Sequence, residues 1–349
     1  MKSKILLSLL WIVCVSQLFA QQKTTFTNPL LLSGPDPYSF YKDGFYYYTS
    51  TGGNRIVLRK TKNLGDLKNA EQSTIFQPED NDTTHAYAHE LWAPEVMFIK
   101  DAWYCYVAAD AGNNNSHRIY VLENKSIDPM KGQWVVKGNI SDATHKWAID
   151  ADVFSFNNQL YMIWAGWEGD VNGIQNIYIA KMQNPWTITG PRVCIARPTY
   201  DWEKHGDLHD ANNPPHLDIN EGPQALEHNG KLFIVFSASA CWTDDYALGM
   251  LTFKGKNNLL DSTAWKKSPE PVFKASVANG VYAPGHNSFF KSPNGKEDWI
   301  LYHANDKPGQ GCSPFRSPRI QKFTWNKDGT PNFGEPVKAG VPIAIPAED

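Results

Sequence analysis

Three acidic residues stand at matching places in a repeated pattern: Asp36, Asp150 and Glu221, 114 and 71 residues apart. Each opens an apolar run that reads as a β-strand. A charge at the mouth of a buried strand is costly and needs a reason. A lone aspartate there reads as a loop cap or a ligand of a structural cation. Three at repeat-equivalent positions read as a converging set. Such a set suits cleavage of a glycosidic bond. One carboxylate must stay ionised to activate water or attack carbon, and another must carry a proton for the leaving oxygen. A third negative charge nearby favours the protonated form of the donor.

The elements that must position these groups form five repeats. The openings are Asp36-Pro37-Tyr38, Ala93-Pro94-Glu95, Asp150-Ala151-Asp152, Glu221-Gly222-Pro223 and Pro284-Gly285-His286. They are spaced by 57, 57, 71 and 63 residues. Each leads into an apolar strand, a turn and an aromatic-rich strand. The turns are Lys42-Asp43-Gly44, Lys100-Asp101, Asn157-Asn158, Asn229-Gly230 and Asn294-Gly295. Gly, Asn and Asp tolerate the left-handed backbone of tight hairpins. A third strand follows at 56–60, 118–123, 176–181, 247–253 and 319–325. A fourth, led by tryptophan, follows at Trp134, Trp186 and Trp265. Long helical periodicity is absent. Four antiparallel strands in each of five units predict an all-β, five-bladed β-propeller, with a β-sandwich as the rival architecture. The first strand of each blade lines the central channel, which brings the three carboxylates to one end of it.

Residues 1–20 read as a secretory signal: Lys2 and Lys4, an apolar run from Ile5 to Val15, and a small residue at Ala20. The protein is therefore expected to be exported, with 21–349 as a single domain. No other stretch is long and apolar enough to span a membrane. The formal net charge is −3 and no basic patch runs along the chain, which argues against nucleic acid as a partner. Aromatic residues make up 13%, including 13 Trp, which fits either sugar stacking or a large β core. Beyond Cys14, the four cysteines Cys105, Cys194, Cys241 and Cys312 have no metal-ligand spacing. They read as buried thiols, with one disulfide open to them after export.

The segments Gly34-Pro35-Asp36-Pro37, Leu91-Trp92-Ala93-Pro94-Glu95, Trp147-Ala148-Ile149-Asp150, Asn220-Glu221-Gly222-Pro223 and Pro284-Gly285-His286-Asn287-Ser288-Phe289 resemble glycoside hydrolase family 43. The resemblance runs over about residues 28–342. It implies an inverting hydrolase of arabinose- or xylose-containing plant polysaccharide that needs no cofactor for its chemistry. Asp36 would be the general base, Asp150 the modulator and Glu221 the general acid. Asp152 would point the same way along its strand and is the alternative to Asp150. Arg316, before Ile320-Gln321, matches an arginine near the family's active site, with Arg319 as the alternative. His286 matches a histidine that helps hold a cation, commonly calcium, in the channel. Trp92, Trp167, Trp242 and Tyr282 lie at strand openings or ends, where they would stack on sugar faces or pack in the core.

Two other readings compete. Residues 201–220 hold His205, Asp207, His209, Asp210, His216 and Asp218, and His85/His89 and His205/His209 are spaced by four. Both pairs lack the glutamate of a zinc hydrolase motif, and Pro214-Pro215 argues against a helix. The segment reads better as an insertion that walls a pocket. A non-catalytic sugar-binding propeller would not need a proton donor. Within the family, the wording of the second and third motifs points to an α-L-arabinofuranosidase, with β-xylosidase and endo-arabinanase as alternatives.

Overall fold

The computed structural model describes residues 24–79, 84–209 and 213–348. The expected leader and its Cys14 lie outside the described residues, as does Asp210. The chain is all-β. Among the described residues the only helices are short 3-10 turns, and no helix is long and apolar enough to cross a membrane.

After a short strand β1 (Thr25–Thr27), twenty strands fall into five antiparallel units of four. Unit one holds β2 (Tyr38–Lys42), β3 (Phe45–Thr49), β4 (Ile56–Thr61) and β5 (Glu71–Phe76). Unit two holds β6 (His89–Ile99), β7 (Ala102–Asp110), β8 (Arg118–Asn124) and β9 (Val135–Ile140). Unit three holds β10 (Ala148–Phe156), β11 (Gln159–Trp167), β12 (Ile174–Asn184) and β13 (Thr187–Ala196). Unit four holds β14 (Asp218–His228), β15 (Lys231–Ala238), β16 (Ala247–Phe253) and β17 (Trp265–Lys267). Unit five holds β18 (Tyr282–Lys291), β19 (Asp298–Asn305), β20 (Ser317–Trp325) and β21 (Pro331–Asn332). The last strand, β22 (Pro342–Ala344), pairs with β1.

Local chemistry sets the hairpins. Asp43-Gly44, Asn157-Asn158 and Asn229-Gly230 form two-residue loops with positive φ at both positions, which matches the twist of the flanking strands. The second strands carry the packing. Alternate residues of a strand face opposite ways. In β3, Tyr46 and Tyr48 pack on Trp299 and Leu301 of unit five, while Tyr47 packs on Trp103 of unit two. Likewise Tyr104 and Tyr106 of β7 meet Met162 and Trp164 of β11, and Ile163 of β11 meets Ile234 and Phe236 of β15. Phe233 and Val235 then meet Ile300 and Tyr302 of β19. Each unit thus shares an apolar interface with the next, and the fifth shares one with the first. Full burial of each such side chain contributes roughly 1.5–3 kcal/mol.

The chain start seals the junction of units five and one. Asn28 bonds both backbone groups of Ile320, accepting from its N–H at 3.0 Å and donating to its carbonyl at 2.9 Å. Leu30 N–H donates to Pro318 O at 2.8 Å and Gly34 N–H to Arg316 O at 3.1 Å.

The expected fourth strands are present in all five units. Those of units one and five, β5 and β21, carry no leading tryptophan and are not visible in the sequence pattern. A short parallel contact, Ile174 opposite Asp218 and Gln175 opposite Ile219, also joins units three and four.

Candidate active site

The entry of each inner strand is kinked. Asp36, Ala93, Asp150, Gly222 and His286 all have left-handed backbone, with φ of 55, 43, 56, 55 and 47°. In units two to five the pairing register slips around the kink, as at a β-bulge. Bulges re-aim side chains and often sit beside active sites. The non-glycine residues hold this conformation at about 1 kcal/mol or more each. Gly222 falls at the kink, so Glu221 precedes the position of Asp36 and Asp150 by one residue. The expected equivalence of the three is corrected by that step. A side chain at Gly222 would also press on the His286 ring.

Two residues further along each strand lies a second layer, Tyr38, Glu95, Asp152, Gln224 and Ser288. Gln224 Nε2 bonds Glu95 Oε1, Asp152 accepts the Ala225 N–H at 2.9 Å, and Ser288 Oγ bonds Pro37 O at 3.1 Å. Burial pushes Asp152 up to about 7, and burial with the neighbouring Asp152 and Asp150 pushes Glu95 well above the usual carboxylate range.

Asp36, Asp150 and Glu221 line one cavity of about 530 Å³, with Arg316, His286, Trp92 and Trp242. Asp152 lines a different cavity. The two alternatives thus separate, with Asp150 on the side of Asp36 and Glu221. A larger cavity of about 620 Å³ between units two and three is lined by Phe40, Phe98 and Phe154 and by amides, and holds no carboxylate.

Asp36 sits among positive and donor groups. Arg316 Nη1 bonds its Oδ1 at 2.9 Å, the Thr51 hydroxyl bonds its Oδ2 at 2.6 Å, and His286 Nδ1 lies 3.3 Å from Oδ1. Burial alone would raise this carboxyl, but Arg316 first, then the histidines and Thr51, hold it well below the usual range. His303 Nδ1 accepts the Asp36 backbone N–H at 3.0 Å. That ring therefore buttresses the kink as a neutral imidazole, and burial holds it well below the usual histidine range.

Glu221 has the opposite environment. Its Oε1 accepts the Tyr246 hydroxyl at 2.8 Å. Burial pushes it up to about 7, with the charge of Asp36 adding to the rise and Tyr246 and Arg316 opposing it. Asp150 accepts the Gly222 N–H at 3.1 Å. Burial, Glu221 and Asp36 raise it well above the usual range. With Asp36 fixed as an anion, the Asp150–Glu221 pair retains a proton at neutral pH, because adjacent buried carboxylates cannot all ionise.

Tyr246, His303 and Thr51 were missed by sequence reading. They lie off the repeat openings, and a single Tyr, His or Thr carries no pattern. Gly285 is the one signal for Tyr246: a Cβ there would run into the Tyr246 ring.

The aromatic expectations divide. Trp92 and Trp242 line the cavity. Trp167 does not. It is 2% exposed and stacks beneath Trp147 at 4.6 Å and 7°, and Trp147 takes the place at the cavity. Tyr282, opposite Asn305 in unit five, is also outside the lining. Arg319 is fully buried, bonds Asp306, and does not reach the cavity.

The 201–217 insertion contributes Leu208, Asn213 and Leu217 to the wall. Its base is bolted down by Glu203, which is fully buried. Glu203 accepts from Thr199 N, Tyr200 N, Asn220 Nδ2 and Lys267 Nζ at 2.6–3.1 Å. His216 sits between Asp207 at 2.6 Å and Asp218 at 2.9 Å. Those contacts strap the loop. No group of three or more His, Cys, Asp or Glu is placed to hold a metal among the described residues. For calcium, which takes six to eight oxygen ligands, His286 offers a nitrogen, and its Nδ1 faces Asp36.

The cysteine expectation is corrected in part. Cys105 is a buried free thiol and Cys194 a half-buried one, but Cys241 and Cys312 form a disulfide. The rim loops of units four and five bring their Cα atoms to 5.2 Å across a separation of 71 residues. The bridge lines the cavity beside Trp242 and four residues before Arg316. Replacing both cysteines with serine is expected to cost about 2–4 kcal/mol, read as a lower Tm, and to raise KM more than it lowers kcat. An unchanged Tm would show the bridge to be idle.

An open cavity walled by indoles, with one carboxylate held ionised and a neighbouring pair that retains a proton, suits the cleavage of glycosidic bonds. The chain belongs to the glycosyl hydrolases family 43, whose sequence model matches residues 26–331. It is 40% identical over 331 residues to the extracellular exo-alpha-(1->5)-L-arabinofuranosidase of Streptomyces avermitilis, covering 92% of this chain and 66% of that protein. It thus spans about two thirds of that relative's length. It is 38% identical over 290 residues to the protein of the same description from Streptomyces chartreusis, covering 82% and 84%. The crystal structure of an alpha-L-arabinofuranosidase from Lactobacillus brevis matches with a TM-score of 0.82 at 37% identity, over 90% of this chain and 98% of that one.

Proposed function

We propose that this protein is an exported, inverting α-L-arabinofuranosidase built as a closed five-bladed β-propeller. The observation that carries the chemistry is the split between Asp36, pinned as an anion by Arg316, and Glu221, raised to about 7. The cycle of five apolar interfaces supports the closed propeller. The descriptions of the Streptomyces and Lactobacillus relatives support the sugar.

In the reaction, Asp36 takes a proton from water as its oxygen attacks the anomeric carbon. The glycosidic C–O bond breaks, and Glu221 gives its proton to the leaving oxygen. Asp150 shares the proton that the buried pair retains with Glu221, because two adjacent buried carboxyls cannot both ionise. A single displacement inverts the anomeric configuration. Trp92, Trp147 and Trp242 offer ring faces to the sugar. The insertion and the disulfide wall the cavity, which suits a chain end better than a chain middle. The substrate is then an arabinan or an arabinose-decorated plant polysaccharide.

The test is hydrolysis of an aryl α-L-arabinofuranoside, an aryl β-xyloside and linear arabinan, with the first-formed anomer read by proton NMR. The expected result is release from the arabinofuranoside with β-arabinose as the initial product. Turnover of the xyloside alone would reassign the sugar. Initial α-arabinose would replace inversion by retention, and binding without turnover would make the protein a lectin.

A further inference from the structure

Two of the cavity's indoles come from different units: Trp92 from the kinked entry of β6, and Trp147 from the residue before β10. One short segment between β7 and β8 touches both. Asn114–Ser116 form a 3-10 turn, and His117 follows it. The Trp147 Nε1–H donates to the Asn114 carbonyl at 2.8 Å. The His117 ring stacks on Trp92 with centroids 4.1 Å apart and planes at 28°. It also meets Trp147 edge-on, at 6.2 Å and 68°.

His117 is itself tightly held. Its Nδ1 lies 3.1 Å from the same Asn114 carbonyl, and its Nε2 lies 3.3 Å from the carbonyl of Glu90, two residues before Trp92. Asp110 Oδ2 is 3.4 Å from Nδ1. His117 is 0% exposed and Asp110 1%. Both nitrogens face carbonyl oxygens, which only accept, so the ring satisfies both only with a hydrogen on each nitrogen. Burial outweighs Asp110 and the two carbonyls and lowers the ring's pKa, so the neutral ring donates to one carbonyl at a time. A buried imidazole with three polar partners is more than filler, because apolar packing beneath Trp92 would need none of them. His117 itself does not line the cavity.

We propose that His117, oriented by Asp110, is a positioning residue for the sugar-binding wall. It sets the tilt of Trp92 by stacking and by fixing the Glu90 carbonyl at the kink. It sets Trp147 through the carbonyl they share. Two units thereby present one aromatic surface. The proposal rests on the arabinofuranosidase reading for its substrate. His117 acts through the indoles and touches no reacting atom, so its loss should weaken binding of ground state and transition state alike.

The test compares wild type with His117→Leu, His117→Gln and Asp110→Asn on an aryl α-L-arabinofuranoside, alongside melting curves and a crystal structure of the leucine variant. The expected result is a KM about tenfold higher for His117→Leu, with kcat within about twofold. Smaller rises are expected for His117→Gln, which keeps one carbonyl bond, and for Asp110→Asn. In the leucine variant the two indole planes should turn from their wild-type positions. Unchanged KM with only a lower Tm would overturn the proposal, as would a fall in kcat at constant KM. If the leucine variant does not fold, the other two variants are read on the same axis. If wild type cleaves no arabinofuranoside, the substrate reading has failed, and the crystal structure still decides this one: unmoved indoles overturn it.

Discussion

Asp36→Asn is expected to lower kcat/KM on an aryl α-L-arabinofuranoside by about 10³–10⁴-fold while leaving a folded protein. That loss corresponds to about 4–5.5 kcal/mol of transition-state stabilisation. The variant is clean because of the local backbone. Asp36 sits at φ 55°, and Asn tolerates the left-handed region as Asp does. The amide oxygen can still accept from Arg316, and the amide nitrogen can donate to the Thr51 hydroxyl, which also accepts the Ala93 N–H at 2.7 Å. What disappears is the ability to take a proton from water. The measurement is steady-state kinetics with near-UV circular dichroism as the folding control. Activity within tenfold of wild type would mean that water is activated elsewhere.

Glu221→Gln should separate substrates by leaving group. On arabinan, whose leaving alkoxide needs a proton, the expected loss is about 10³-fold or more. On a dinitrophenyl arabinofuranoside, whose leaving group departs unaided, it should be about tenfold or less. The pH dependence follows from the same residue. As the proposed acid, Glu221 must be protonated to act, and its pKa is raised to about 7. Wild-type kcat/KM should therefore be flat below that point and fall as pH rises through it. The glutamine variant should lose this limb. At the acidic end, Asp36 is held well below the usual range, so activity should persist where an ordinary carboxylate base would already be protonated. A limb that survives in the variant would assign it to another group.

The sequence showed the five openings because hairpin turns and strand entries carry backbone demands that few residues meet. Asp43-Gly44 and Asn229-Gly230 are legible for that reason. The second strands were legible because they are buried on both faces and read as aromatic runs. Outer strands were harder. β5, with the sequence EQSTIF, is mostly solvent-facing, and β21 is two residues long. Neither has a face whose pattern must repeat. Of the site, the carboxylates and Arg316 were legible from motifs in order. The buttresses were not: Tyr246 reaches Glu221 across unit four, His303 reaches Asp36 across the junction of units five and one, and no local spacing encodes either contact. Trp147 and Trp167 illustrate a different limit. Both are tryptophans at the ends of neighbouring strands, and only packing tells which one faces the cavity and which one lies beneath. The Cys241–Cys312 bridge likewise depends on two rims meeting, which separation along the chain does not reveal.

The junction sealed by Asn28 gives the proposed catalytic base an unusual dependence. Asp36 belongs to unit one, while Arg316, His286 and His303 belong to unit five, so the polar cage around Asp36 straddles the junction of the first and last units. Partial opening of a fold costs less than complete unfolding. Parting at this junction would disconnect the base with every sheet still intact. The proposed active site is then a fuse for the proposed ring: under rising denaturant, turnover should fail before far-UV circular dichroism records any loss of strand.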